Sequence, residues 1–446
     1  MKRIFFFELI IVIIICHSGF AGEQVKIWDK FEHLFTSTKT YENPLYDVKS
    51  FSVLVTAPSG LIHKINGFWD GELCWKFRFC PDEIGEWTFK TQCSDQRNTG
   101  LHNIEGGFTC IENGRPLELY KRGTIVRPKG QYYLTYSDGT PFFFAACTAW
   151  NGALRSTDAE WDNYLKDRAE SGYNVIQFIT TQWRGCEANR LGQVAFEGCG
   201  RISINAAFFQ FLDQKVDRIN DYGLVAAPVL LWALQYGAGR HLSPGYYLPE
   251  NEAILLAKYL VARYGGNQVI WILGGDGKYV DEYETRWKTI GRGVFGDPHP
   301  GVVTNHPMGR SWYGDAYQNE DWLDFIGYQS SHSNKQSTVD WITKGPAAKR
   351  WDKIPAKPII NMEPNYEEIH FTISAADVRN ASFWSVLAAP PAGITYGANG
   401  IWPWLRPGEN ILNHEDATGT HSWDESIRFP GSRQIGFMAN YFRRLE

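Results

Sequence analysis

The 446-residue chain has no Lys/Arg-rich run, little net charge and no apolar stretch long enough to cross a bilayer. Its formal charge of −5, from 44 Lys and Arg against 49 Asp and Glu, offers no basic face to a phosphate backbone, so no nucleic-acid partner is expected. An HExxH pair and a phosphate loop are both missing. Gly274-Gly275-Asp276-Gly277-Lys278-Tyr279 lacks the four-residue spacing and the Ser or Thr that must follow Lys. Gly309-Arg310-Ser311-Trp312-Tyr313-Gly314 is not a nucleophile elbow, because its second glycine falls one place late. Cysteine is sparse, at eight residues, and its spacings fit no zinc framework, so no metal and no cofactor are expected. What the chain does have is apolar and aromatic: 43% hydrophobic, with 18 Trp, 22 Tyr and 27 Phe. That excludes disorder and coiled coil and suffices for a large core without covalent staples.

The start of the chain reads as an address. Met1-Lys2-Arg3 is basic, Ile4 to Cys16 is apolar, and Ser18-Gly19-Phe20-Ala21-Gly22 supplies small residues. Residues 1–22 therefore read as a signal peptide, too short to span a membrane. The expected location is outside the cytoplasm: periplasmic, cell-surface or secreted. Cleavage near Ala21 is the first reading. A lipid anchor on Cys16 is the second, disfavoured by Ile15 where a small residue normally stands. Seven cysteines would remain, an odd number that forbids complete pairing within the chain, with Cys93/Cys110 and Cys186/Cys199 as the local pairs.

Two domains follow. Residues 23–113 alternate apolar and polar in short runs, among them Ser52-Val53-Leu54-Val55, Cys74 to Phe79 and Trp87-Thr88-Phe89-Lys90, separated by turn clusters such as Pro58-Ser59-Gly60. This predicts a small antiparallel β-sandwich. Residues 114–130 read as a linker. From 131 to 446 the pattern becomes a hairpin about Asp138-Gly139 and then helices alternating with continuous apolar strands. Thr157-Asp158-Ala159-Glu160 is a capping box opening one helix, and Asn205 to Tyr222 is another. Strands are predicted at Phe142–Ala146, Asn174–Ile179, Val225–Leu231, Val269–Leu273, Val302–Thr304, Phe325–Tyr328, Pro358–Asn361 and Gly393–Tyr396. Eight strands interleaved with helices spell a (β/α)8 TIM barrel, with a doubly wound open sheet as the alternative.

In such a barrel the reacting groups project from the C-terminal strand ends. Strand four ends in Gly274-Gly275-Asp276 and strand seven in Asn361-Met362-Glu363, one carboxylate each on opposite sides of the mouth. A lone strand-end acid also serves to pair with loop backbone or an Arg. Two facing carboxylates are what glycosidic cleavage needs: one protonates the leaving oxygen, the other attacks the anomeric carbon or activates water. Trp150, Trp183, Trp232, Trp402 and Trp404 cluster at the same rim, where flat rings suit the C–H faces of sugars; filling the core is their other use. Tyr328 is placed to orient the nucleophile, and Gln182, Asn305, His306 and His332 are the candidate hydroxyl contacts.

The stretch from Asp138-Gly139-Thr140-Pro141-Phe142-Phe143 to Thr148-Ala149-Trp150 resembles the opening of the apiosidase-like TIM-barrel glycoside hydrolases. So do Gly172 to Gln177, Arg263-Tyr264-Gly265, Trp271 to Asp276, and Ile394 to Trp402. Upstream, Asn43 to Val48, Gly67-Phe68-Trp69-Asp70-Gly71 and Arg78 to Trp87 resemble the uncharacterised β-sandwich domain that often precedes this barrel. The resemblance implies a retaining mechanism with Asp276 as acid/base and Glu363 as nucleophile. The wider clan usually ends strand four in Asn-Glu, whereas the apiosidase-like branch shares the Gly275-Asp276 ending seen here. The leading expectation is an exported retaining glycoside hydrolase whose partner is an oligo- or polysaccharide. A non-catalytic carbohydrate-binding protein on a degenerate barrel is the alternative. An inverting hydrolase would show carboxyl oxygens ~6.5–9.5 Å apart instead of ~5–5.5 Å.

Overall fold

Side chains at even spacings along a strand turn to one face. In the N-terminal part Phe31, Phe35, Val53, Val55, Trp75, Phe77, Trp87, Phe89 and Phe108 do so and meet in one buried core. The computed structural model describes residues 23–414 and 421–445, so the signal-peptide reading lies outside the described residues. Two sheets enclose that core. One has five strands in the order Gln24–Lys26, Glu105–Ile111, Gly85–Cys93, Phe51–Thr56, Ile62–Asn66, and the other has three, Phe31–Thr36, Cys74–Phe79, Phe68–Trp69. Every pairing is antiparallel except Gln24–Lys26, which runs parallel to Glu105–Ile111.

The cysteine pairs read from sequence do not form, and all seven described cysteines are free. Cys110 faces Gly85 across its ladder, at the far end of the strand that finishes in Cys93. Eight residues at about 3.4 Å each hold the two thiols far beyond disulfide reach. Cys186 is buried with its thiol on the Ala188 carbonyl at 3.0 Å, while Cys199 is exposed near the Tyr247 carbonyl at 3.7 Å. The expected linker is folded as well. Glu118–Arg122 is helical and Ile125–Val126 pairs with Leu134–Tyr136, which turns through Gly139 (φ +88°) into Pro141–Phe142.

The barrel strands are β1 (Phe144–Thr148), β2 (Val175–Ile179), β3 (Val225–Trp232), β4 (Ile270–Gly277), β5 (Val302–Pro307), β6 (Ile326–Gln329), β7 (Ile359–Glu363) and β8 (Gly393–Tyr396). They form one eight-stranded parallel sheet in the cyclic order β5-β4-β3-β2-β1-β8-β7-β6. The seam between β5 and β6 is closed by a side chain. Thr304 Oγ1 donates to the Phe325 carbonyl at 2.9 Å and accepts from the Gly327 N–H at 3.0 Å. The outer layer comprises α1 (Asp158–Glu170), α2 (Ala206–Asp221), α3 (Glu250–Tyr264), α4 (Glu284–Phe295), α5 (Gln336–Lys344), α6 (Ala375–Leu387) and α7 (Pro430–Phe442). Thr157 and Glu160 form the expected capping box on α1, and Asn205 caps α2. Among the described residues only the four-residue helix Gly314–Tyr317 stands between β5 and β6.

The sandwich is fixed to the barrel by buried charge. Arg78 Nη1 and Nη2 donate to both oxygens of Asp213 on α2, at 3.0 and 2.6 Å, and Nη1 also reaches the Arg263 carbonyl at 2.8 Å. Arg263 on α3 grips the same carboxylate at 2.8 and 2.7 Å and lies 2.7 Å from Asp70 of the sandwich. Both guanidinium groups flank the Phe68 ring, at 5.1 and 5.0 Å. Burial alone would raise the Asp213 pKa; the two arginines outweigh it and hold the carboxyl well below the usual range.

Candidate active site

Both strand-end carboxylates arise at interruptions of the ladder. Along β4 the pairing with β5 slips twice, Ile272 facing Thr304, Gly275 facing His306 and Gly277 facing Pro307. Asp276 is an extra residue between the last two pairs, with φ +50°, in the left-handed region that costs most side chains energy. Along β7, Tyr328 of β6 faces Asn361 but Gln329 faces Glu363, leaving Met362 as the extra residue. Bulges re-aim side chains at sheet ends, and here they mark the two carboxylates at one mouth.

The environments of the two acids are opposite. Glu363 is buried, with Oε1 3.0 Å from His332 Nε2 and Oε2 3.4 Å from His306 Nε2. The Tyr366 N–H donates to His332 Nδ1 at 3.2 Å, so in the neutral ring the proton sits on Nε2 and is donated to Glu363. Burial alone would raise the Glu363 pKa; hydrogen bonds and charge from His306 and His332 overturn that and bring it down to about 2. Asp276 has one weak side-chain donor, Gln329 Nε2 at 3.3 Å. Burial first, and then the charge of Glu363, push its pKa up to about 6, with His306, Gln329 and Arg184 pulling partly the other way. One mouth therefore holds a carboxyl that keeps its proton in mild acid and another that is ionised throughout. That is a proton donor set against an electron-pair donor.

An aromatic wall stands beside them. The Trp150 ring meets His306 edge-on at 5.2 Å and Trp232 at 5.9 Å, and Trp232 meets Trp183 at 4.4 Å. Trp183 is locked by its own indole N–H on Asn151 Oδ1 at 2.6 Å. Trp402 lies at the edge, 4.9 Å from His414, which also approaches Trp183 at 6.1 Å. Asn305 accepts the Gly274 N–H at 3.2 Å, while its Nδ2 is buried without a protein partner. Among the described residues no cluster of His, Cys, Asp or Glu is arranged to hold a metal ion.

The structure thus brings Asp276, Glu363, His306, His332, Asn305, Trp150, Trp183 and Trp232 to one end of the barrel. Three residues named from sequence serve elsewhere. Tyr328 shares a face with Asn361, whose amide donates to Ser385 on α6 at 2.9 Å, so both point outward; its ring packs on Trp341 of α5 at 5.6 Å. Trp404 is fully buried, stacked on Trp423 at 4.9 Å and edge-on to Trp161 at 5.7 Å. Gln182 ties down its own loop, donating to the Phe196 carbonyl at 2.8 Å and accepting the Ala195 N–H at 3.0 Å. Sequence reading missed Tyr366 and Gln329. Tyr366 packs tilted against His332 at 4.4 Å, and burial followed by the Glu363 charge drives its hydroxyl pKa well above normal. Its signal was its place three residues past Glu363. For Gln329 the signal was a polar residue ending β6.

A family model described as the apiosidase-like catalytic domain matches residues 128–446, and a domain of unknown function, DUF5060, matches residues 24–94. Among solved structures, a putative glycoside hydrolase from Bacteroides vulgatus is similar at 19% identity and TM-score 0.73, over 95% of this chain and 79% of that one. A glycoside hydrolase family 5 protein from the same organism shows 25% identity and TM-score 0.61, over 72% of each chain. A family 5 mannosidase from Rhizomucor miehei shows 12% identity and TM-score 0.54, over 73% of this chain and 100% of that one. Among curated proteins nothing matches.

Proposed function

The chain belongs to the apiosidase-like catalytic-domain family, and from that premise we propose that it is an exported, retaining glycoside hydrolase acting on a complex polysaccharide. The observation that carries this reading is the opposed protonation of Asp276 and Glu363 at one barrel mouth. Glu363, held ionised by His332 and His306, attacks the anomeric carbon as Asp276 gives its proton to the leaving glycosidic oxygen. The covalent glycosyl ester is then opened by water, whose proton Asp276 takes back. Trp150 and Trp232 supply apolar faces for sugar rings beside the reacting pair, with buried Trp183 packed behind Trp232.

The test pairs the wild type with Glu363→Gln on a panel of plant, algal and host polysaccharides, with released sugars identified by mass. Release by the wild type and a loss of at least ~10³-fold in the variant are expected. Equal release by both would remove Glu363 from the mechanism. Binding of a glycan without release by the wild type would favour the non-catalytic reading. Following the first product by proton NMR separates the stereochemical outcomes, since a retaining enzyme liberates the anomer of its substrate first. Export through residues 1–22 is checked by N-terminal sequencing of the protein recovered outside the cytoplasm.

A further inference from the structure

The exposed large hydrophobics of the sandwich are Leu34, Leu61, Ile62 and Ile84, none of them a flat ring for a sugar to stack on. What the sandwich presents instead is a single turn, Asn43 to Asp47, directed at the barrel. Asn43 caps that turn through Oδ1, and its Nδ2 donates to the Ile202 carbonyl at 2.8 Å. The Tyr46 hydroxyl accepts the Ile202 N–H at 2.9 Å and donates to Glu252, a fully buried carboxylate on α3. Glu252 also accepts the Gly200 N–H at 2.7 Å and the Ile202 N–H at 3.1 Å. Between them, Arg201 pairs with Asp47 at 3.2 Å and lies over the Tyr46 ring at 4.7 Å. Two consecutive residues of the loop after β2, Arg201 and Ile202, are thus held from the sandwich side, while Gly200 is held from α3 through Glu252.

That loop needs holding. Among the described residues its one ladder is Phe196–Glu197 against Ser203–Ile204, two residues a side, beside the isolated bridge of Trp183 with Cys186. An isolated hairpin of that size is marginal in water. Its other edge reaches the mouth, where Gln182 grips Ala195 and Phe196, and the next residue, Trp183, packs on Trp232 and bonds Asn151. The frame behind the turn is rigid, because Arg78 locks the sandwich to α2 and α3 through Asp213.

We propose that the N-terminal sandwich is a positioning domain: through Asn43 and Tyr46 it holds the 195–204 hairpin and thereby sets Trp183, the buried ring that backs Trp232 at the mouth. Asn43 and Tyr46 touch no reacting atom, so their removal weakens substrate capture and leaves the chemical step alone. The kinetic half of this inference rests on the hydrolase reading above.

The test is the full-length Asn43→Ser/Tyr46→Phe protein, in which Ser keeps the turn capped but lacks the reach to Ile202. Hydrogen exchange of the amides in 195–204 is expected to quicken at least ~10-fold, with α2 and α3 unchanged. On the glycan that the wild type cleaves, KM should rise ~5–10-fold with kcat within about twofold. Tyr46→Phe alone, which keeps its ring under Arg201, gives a smaller shift in the same direction and serves if the double variant fails to fold. Unchanged exchange in 195–204, equal quickening in α2 and α3, or quickened exchange with an unmoved KM each overturns the proposal. A wild type that cleaves nothing would sink the hydrolase reading, and the exchange result would then decide the brace by itself.

Discussion

Replacing Asp276 by Asn should stabilise the folded protein at neutral pH while removing its acid. Burial and the Glu363 charge lift the Asp276 carboxyl from 3.8 to about 6. Between roughly pH 4 and 6 the folded protein holds a proton that the unfolded chain has already released, so stability falls as pH rises through that window and stays lowered above it. About two pK units at about 1.4 kcal/mol each make this close to 3 kcal/mol, and partial exposure at the mouth screens it to about 1–3 kcal/mol. Asn has the same shape, no charge, and tolerates the left-handed backbone found at this position. For a chain of this length an unfolding entropy of about 2 cal/mol/K per residue makes each kcal/mol worth about 1 °C. Scanning calorimetry of both proteins should therefore show a Tm gain of about 1–3 °C for the variant at pH 7.5 and almost none at pH 4. An equal shift at both pH values, or a loss at pH 7.5, would refute the electrostatic account of Asp276.

The same two carboxyls set the activity profile: kcat/KM should fall above about pH 6 as Asp276 loses its proton and below about pH 2 as Glu363 gains one, and Asp276→Asn should flatten the alkaline limb of whatever activity survives. His332→Ala removes a hydrogen bond to a charged group, worth about 1.5–3 kcal/mol, so kcat/KM should drop about 10- to 100-fold. The acidic limb should move upward in that variant, and an unmoved limb would mean that His332 does not hold Glu363 ionised. Arg78→Met takes one of two guanidinium groups from buried Asp213 and should cost about 3–5 kcal/mol in urea unfolding; a loss under 1 kcal/mol would show that Arg263 alone suffices.

Most of the barrel was legible because buried parallel strands are continuous apolar runs, which is why Val225–Leu231 was expected and Val225–Trp232 is found. Asp276 and Glu363 were legible because each directly follows such a run. Their bulges were not, since an extra residue on one strand depends on the register of its neighbour. Parity misled at Tyr328: a strand end names the place but not the face, and a shift of one residue turns a side chain from mouth to helix layer. Trp404 has the same chemistry as the rim tryptophans, and only the path of the chain after β8 sends it to Trp161 and Trp423. Cysteine spacing along the chain says nothing of distance across a ladder. The hold of Asn43 on Ile202 spans 159 residues, and no local pattern announces it.

Gly275 and Trp232 occupy what is in effect one place. A Cβ built on Gly275 would stand 2.6 Å from the Trp232 ring and 2.8 Å from Val229, so the indole fills the room that a side chain at the end of β4 would take. Neither position is free to vary alone. A bulkier residue at 275 collides with the ring, and a smaller one at 232 opens a void beside the acid. To exchange this hydrocarbon wall for an amide, as in the Asn-Glu ending of the wider clan, a lineage would have to cross a poorly packed intermediate or change both residues together. The barrel has committed this side of its mouth to shape, and any retuning of what it accepts there has to begin with the pair.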